Sequence, residues 1–416
     1  MAINKELIKD DLYEAVNGAW IKDAKIPDDK PATGGFNDLV DKIDKQMMAD
    51  FEDYADGKKT SDDPHFNEMI KLYRVAKKFD LRKKVGPVPL QRLLASVTAL
   101  DSYADYQKQW KNWVLMGLPS PVSFDIDADM KNATVYALFV SSPSLILPDK
   151  SYYEPAKKDQ HDQLMKLWAA MVKELLSKLD YTEEQAAQLI KEAQAFDALL
   201  APNVKSAEEA ADYSKMYNPQ TVAELAASTD QLDLAAVIKQ LVSATPDKVI
   251  VMEPAYFKAL DSILKDHFDL FKSWALINVV RDNASYLDDE MREINGRYSR
   301  ALSGSKKPVS QQKFAYYLAR DIFSQVAGDY YGKTYFGPQA KADVHHMVEQ
   351  MIAVYKQRLT NNTWLSKATR DKAVLKLDKL GIQVGYPDKI PSLYDHLKVD
   401  ELESLIANLN QLSIVA

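Results

Sequence analysis

Apolar residues recur along most of this chain at the spacing of an α-helix, and that periodicity constrains the fold more than any other feature. Leu164, Trp168, Met171, Leu175 and Leu179 follow an i, i+4, i+7 rhythm that lays one apolar stripe along a helix. After Asp180-Tyr181, Thr182 and Gln185 make a capping box that starts a second helix running towards Pro202. Val344, Met347, Val348, Met351, Tyr355 and Leu359 repeat the pattern, and a further helix from near Asp400 aligns Leu402, Leu405, Ile406, Leu409 and Leu412. Roughly a dozen such helices are predicted, without an internal repeat. Glycine supports this reading: 13 of 416 residues is under half the usual share of roughly 7%. The expected fold is mainly α, a multi-helical lobe with one small β-hairpin.

The hairpin is the exception to helical spacing. Val122, Phe124 and Ile126 alternate with Ser123, Asp125 and Asp127; Val135, Ala137 and Phe139 alternate after the polar turn Asp129–Asn132. Val249-Ile250-Val251-Met252 predicts a short extended piece. A chain of 416 residues exceeds what one core normally reaches, roughly 250–300 residues, so two lobes or a part of a larger assembly is expected.

Composition excludes several chemistries. The chain has no cysteine, hence no disulfide, thiolate metal site or cysteine nucleophile. It carries 53 basic against 60 acidic side chains, a net charge of −7, which gives no field for nucleic acid. No stretch approaches the roughly 20 apolar residues of a membrane span, and the start lacks a secretory pattern. A cytoplasmic protein without membrane or nucleic-acid partners is expected. The basic run Lys77-Lys78 with Arg82-Lys83-Lys84 reads as the solvated end of a helix before Gly86-Pro87.

The six histidines offer no H-E-x-x-H pair, which would place two imidazoles at i and i+4 on one metal. His345 and His346 diverge by about 100° on a helix; with Glu349 they are either a weak surface metal site or a solvated face. Asp125, Asp127 and Asp129 open like a calcium loop, but Met130 stands where glycine is needed and Tyr136 where the bidentate glutamate belongs. Acids on the wet side of a strand explain them. Asp288-Asp289-Glu290 reads as surface charge. No P-loop, nucleophile elbow or dinucleotide fingerprint is present.

Several stretches together resemble the neprilysin family of zinc metallopeptidases, which includes PepO-type bacterial oligoendopeptidases. The first is Asp11 to Trp20, containing Asn17-Gly18-Ala19-Trp20, followed by Ile26-Pro27 and Gly34-Gly35-Phe36. The second is Leu147-Pro148-Asp149-Lys150-Ser151-Tyr152-Tyr153, and the third Tyr217-Asn218-Pro219-Gln220-Thr221. The longest runs from Leu302-Ser303-Gly304 through Gly332, Tyr335-Phe336, Lys341-Ala342-Asp343-Val344 and Thr363-Trp364-Leu365 to Gly385-Tyr386-Pro387-Asp388. These residues read as structural: Trp20 as a buried ring or a cavity contact, Trp364 as core or a surface that stacks on peptide, and Gly385 and Pro387 as a turn between lobes.

The resemblance implies a two-lobed peptidase enclosing a cavity that admits oligopeptides. It assigns residues 1–45 to a segment on the catalytic lobe, 46–375 to a helical lid lobe, and 376–416 to the start of the catalytic lobe. The family's zinc helix, its third ligand and its oxyanion histidine lie downstream of Gly-Tyr-Pro-Asp, and this chain runs only 28 residues past Asp388 (416 − 388). No catalytic or metal residue is therefore expected here; zinc is implied for the complete enzyme, with a C-terminal catalytic half as partner. The apolar end Ile414-Val415-Ala416 reads as an interrupted domain. Ala32 and Val40 stand where some relatives hold a substrate carboxylate with arginines, so the segment 31–40 offers no such preference. The competing reading is a non-catalytic helical module that binds peptides or a protein.

Overall fold

The structure, a computed structural model, describes residues 3–415. They contain twenty α-helical segments and one four-stranded sheet. Many of the helices beyond the expected dozen have four to seven residues, such as Ala207–Ala210 and Arg297–Ser303, too short to display a period. The chain divides into two compact units, one built from residues 3–34, Lys78–Val309 and Glu403–Ile414, the other chiefly from Gly35–Lys77 and Ser310–Leu402.

The first unit forms around the helix Phe268–Ala284, of whose 17 residues ten are buried. It packs against Val88–Thr98, Lys158–Ser177 and Glu183–Leu200. The stripe read from Leu164 is the buried face of Lys158–Ser177, through Trp168, Met171 and Leu175. The Thr182–Gln185 capping box is present in both directions, with Thr182 N donating to Gln185 Oε1 at 2.9 Å and Gln185 N to Thr182 Oγ1 at 3.2 Å. These bonds satisfy amide groups that a helix start leaves without partners.

The hairpin forms as expected from strand β1 (Ser123–Asp129) and strand β2 (Asn132–Ser141), antiparallel with Phe124 opposite Val140 and Ile126 opposite Leu138. Strand β3 (Pro219–Gln220) and strand β4 (Val249–Val251) complete the order β1-β2-β4-β3, with β4 parallel to β2. One acid departs from expectation. Asp125 and Asp127 are exposed, but Asp129 is 1% exposed. The pairing register shifts between Ala128 and Asp129, and such an irregularity re-aims a side chain. Lys248 Nζ then lies 2.6 Å from the Asp129 carboxylate, and the Tyr217 hydroxyl donates to it at 3.1 Å. Lys248, followed by the Lys131 amide, holds this carboxyl down to about 2.

Arg82 is the second correction. It is buried rather than solvated, because its Nε donates to the Leu287 carbonyl at 2.6 Å and its guanidinium covers the Phe79 ring at 4.1 Å. The terminal helix spans Leu405–Val415, not from Asp400. Asp400 accepts from Leu402 N in a turn, Ser404 Oγ accepts from Ala407 N at the helix start, and Leu402 is left 97% exposed. Leu405, Ile406 and Leu412 are buried; Ala416 of the apolar end lies outside the described residues.

The second unit has an aromatic core. Phe51 meets Tyr73 and Tyr316 edge-on at 5.5 and 5.1 Å, and Phe66 meets Tyr54 at 4.8 Å. Buried acids tie in neighbouring segments: Asp44 accepts from Tyr317 at 2.6 Å, and Glu68 accepts from the Val399 amide, in a loop, at 2.9 Å.

Two tryptophans separate core from surface. Trp168→Ala should lower unfolding free energy by about 3–5 kcal/mol through the cavity it leaves. Trp364→Ala should change it by less than about 0.5 kcal/mol, because that ring is 80% exposed. Denaturant unfolding of both variants is the check, and a large loss for Trp364 would contradict the assignment.

Candidate functional site

Within the second unit, a π-helical turn (Gly332–Phe336) leads into the helix Gly337–Thr360. Gly337 takes φ +80°, a left-handed conformation that suits glycine. The segment Gly385–Asp388 fastens to this entry. Lys341 Nζ donates to the Tyr386 carbonyl at 2.7 Å and to Asp388 at 2.5 Å, and lies 4.3 Å from the centre of the Tyr386 ring. Gly332 permits the fit, since a Cβ there would stand 2.4 Å from the Tyr386 ring. Gly385 turns at φ +74°, where a Cβ would stand 2.9 Å from the Phe336 ring. The Lys341 ammonium holds the Asp388 carboxyl below the usual carboxylate range. Motifs some fifty residues apart in sequence thus meet as one clasp.

The clasp floors a cleft of about 1120 Å³ lined by Lys341, His345, His346, Glu349, Tyr386 and Pro387 among others. His345 and His346 each approach Glu349, at 3.5 and 3.7 Å, and Gln350 meets His346 at 3.0 Å. The imidazoles remain 44% and 67% exposed. Among the described residues no group of three or more His, Asp or Glu side chains is placed to hold a metal ion. Zinc therefore does not fit this donor set.

The opposite face of the same helix is open. The apolar stripe that periodicity assigns to a packed interface has Met347 at 49%, Met351 at 59% and Tyr355 at 60% exposure. Neither Gly337–Thr360 nor the following helix Lys367–Asp378 contains a buried residue. Trp364, Leu375 and Leu380 extend the exposed apolar surface, so the expectation that Trp364 packs in a core is overturned.

The remaining motif residues serve the first unit. On the helix Leu12–Asp23, Asn17 donates to the Tyr13 carbonyl at 3.1 Å, Gly18 is buried and Trp20 is half-buried. Asn218 bridges the Lys215 and Val251 carbonyls at 2.9 and 3.0 Å, and Gly304 caps a helix at φ +80°. Asp288 caps the helix Asp289–Asn295, Asp289 pairs with Arg292 at 2.6 Å and Glu290 with Lys178 at 2.5 Å.

Pro148 is exposed and precedes the 3₁₀ turn Lys150–Tyr153, and Tyr152 packs on the core beneath Lys157. The Tyr153 hydroxyl donates to Asp197, which also accepts from the Ile146 amide at 2.8 Å. Asp197 is fully buried, and burial lifts its carboxyl to about 6; the Tyr153 and Ile146 donors, which favour the charged form, oppose that rise. Neither Asp197 nor Lys341 was singled out as a functional candidate from sequence, although Lys341 stands inside a quoted motif.

Comparison with known proteins gives these motifs a common context. The model of peptidase family M13 matches residues 8–387. A neutral endopeptidase of Lactococcus lactis subsp. lactis is 39% identical over 396 residues, covering 94% of this chain and 62% of that protein. A putative zinc metalloproteinase of Streptococcus gordonii is 36% identical over 409 residues, covering 98% and 72%. The crystal structure of PepO from Lactobacillus rhamnosis superposes with a TM-score of 0.92 at 32% identity, over 98% of this chain and 64% of that one. The chain thus spans less than two thirds of the Lactococcus protein and of PepO.

Asp197 makes a pH prediction. Its folded value of about 6 lies above the ordinary 3.8, so the folded state binds the proton more tightly. Stability should rise as pH falls from 7 through 6 towards 4, by on the order of 2–3 kcal/mol from this group. Asp197→Asn should lack that contribution, seen as a flatter difference in melting temperature between pH 7 and pH 5. Equal slopes for both proteins would refute it.

Proposed function

Since the chain belongs to peptidase family M13, we propose that it forms the N-terminal, substrate-enclosing part of a zinc-dependent metalloendopeptidase that hydrolyses oligopeptides. The observation that carries this reading is the open apolar face of Gly337–Thr360 and Lys367–Asp378. A stripe of Met347, Met351 and Tyr355 is unfavourable in water and fits a partner that covers it. The occupant we assign is the C-terminal portion represented in the relatives and not in this chain. That portion supplies the zinc ligands; the residues described here supply walls and a fastening point. The helical lid is assigned to residues 46–375, of which Lys78–Val309 belongs to the first unit. Among the described residues no helix is long and apolar enough to cross a membrane, and we assign the cysteine-free chain to the cytoplasm.

The 416-residue chain alone should neither bind zinc at micromolar concentration nor cleave peptides, and a co-expressed C-terminal portion should restore both. Met351→Asp should weaken that association about tenfold or more by burying a charge in an apolar interface, with the chain's own melting unchanged. Chelator-sensitive hydrolysis by the lone chain would sink the proposal. Tight peptide binding by a monomeric chain that ignores the C-terminal portion would favour a non-catalytic binding module.

A further inference from the structure

The central helix of the first unit turns one polar face into a cavity. Trp274, Asn278, Arg281 and Asp282, at i, i+4, i+7 and i+8, line a pocket of about 540 Å³, with Leu118, Val122 and Phe124 among the residues on its other walls. That volume is in the range of small-ligand sites. Its chemistry is unusual for a core. The Nε of Arg281 is buried without a hydrogen-bond partner. One guanidinium nitrogen reaches Asn278 Oδ1 at 3.3 Å, a long contact, and the group lies 6.0 Å from the centre of the Trp168 ring. A guanidinium with donors to spare in a partly dry site gains most from a carboxylate, which it grips through paired, charge-assisted bonds. The carboxylates of Asp282 and Asp197 both act on this guanidinium, so an anion must arrive beside a hydrogen-bond donor, because a bare anion would be repelled.

We propose that this pocket binds the carboxylate end of a peptide whose last residue is apolar. The terminal carboxylate accepts from Arg281, the last amide N–H donates to Asp282, and the side chain rests against Val114, Phe124 and Leu145, the half-buried apolar residues of the lining. The arginine comes from the helix Phe268–Ala284, not from the segment 31–40. The inference rests on the chain handling peptides, yet it concerns binding, which is measured apart from cleavage.

The test is calorimetric titration of the 416-residue chain with acetyl-Ala-Ala-Leu, its C-terminal amide, and acetyl-Ala-Glu-Leu-amide. The free acid should bind about 10- to 100-fold more tightly than the amide, as one charge-assisted contact allows. Arg281→Met should erase that ratio, whereas Arg281→Lys should keep part of it. If the glutamate-bearing amide matches the free acid, the carboxylate is a side chain's; if it matches the plain amide, the peptide terminus is the ligand. Equal binding of acid and amide by the unaltered chain, no binding of the acid, or a ratio that survives Arg281→Met overturns the proposal. The acid-to-amide comparison needs no variant, so a poorly folding Arg281→Met leaves it decisive. Peptide cleavage with the C-terminal portion restored is a separate readout and tests the peptidase reading alone.

Discussion

The helix Phe268–Ala284 is the element on which the first unit is built, and its burial on nearly every side dictates what surrounds it. Phe271 meets Tyr106 at 5.0 Å and Phe196 at 5.8 Å, and Trp274 meets Phe196 at 5.4 Å. Each ring excludes water from its neighbours, so the helices bearing them are fixed together. In its C-terminal half the edge carrying Asn278, Arg281 and Asp282 escapes the packing, and it faces a cavity. The far wall of that cavity includes Pro143 to Ile146, a strap whose Ile146 amide is bound by Asp197 and whose Ile146 carbonyl accepts from Tyr298 at 3.2 Å. A rigid helix thus forms one wall, and a polar staple forms part of another.

The second unit obeys the same rule up to a definite point. Its aromatic core covers the apolar sides of Gly35–Ala55, Pro64–Ala76 and Gln311–Ile322. Coverage is missing on the helices Gly337–Thr360 and Lys367–Asp378, and resumes at Tyr394, Leu397 and Val399. The clasp of Lys341 with Tyr386 and Asp388 grips the polar flank of Gly337–Thr360, and this leaves Met347, Met351 and Tyr355 presented outward. Covering such side chains is worth roughly 1.5–3 kcal/mol each, a gain the described residues do not realise. The polar clasp orients the helix, and that orientation leaves the apolar stripe uncovered among the described residues.

Sequence reasoning succeeded where one residue pattern had one physical solution. The Thr182–Gln185 box, the stripe from Trp168 to Leu175 and the alternation around Phe124 and Phe139 each became the element expected. It failed where the outcome depended on distant chain. Periodicity marks Met351 and Tyr355 as a face needing cover without saying whether cover is present. Charge alone cannot show that Arg82 meets the Leu287 carbonyl, or that a register shift turns Asp129 onto Lys248. Arg281 left no local signal at all: an arginine three residues after Asn278 is unremarked until the surrounding helices close a cavity over both.

The motif residues explain why a family can be legible while its chemistry is not. Gly304 caps a helix, Asn218 joins two carbonyls, Tyr153 and Asp197 tie down a strap, and Gly332 and Gly385 admit Tyr386 and Phe336 at distances a Cβ would forbid. Each solves a geometric problem with few chemical solutions, so each is recognisable from sequence. A chain can therefore carry its family's fold through 380 matched positions (387 − 8 + 1) on residues whose visible work is structural. What these positions supply is geometry: a cavity wall in the first unit, and in the second a clasped helix with its apolar side turned out.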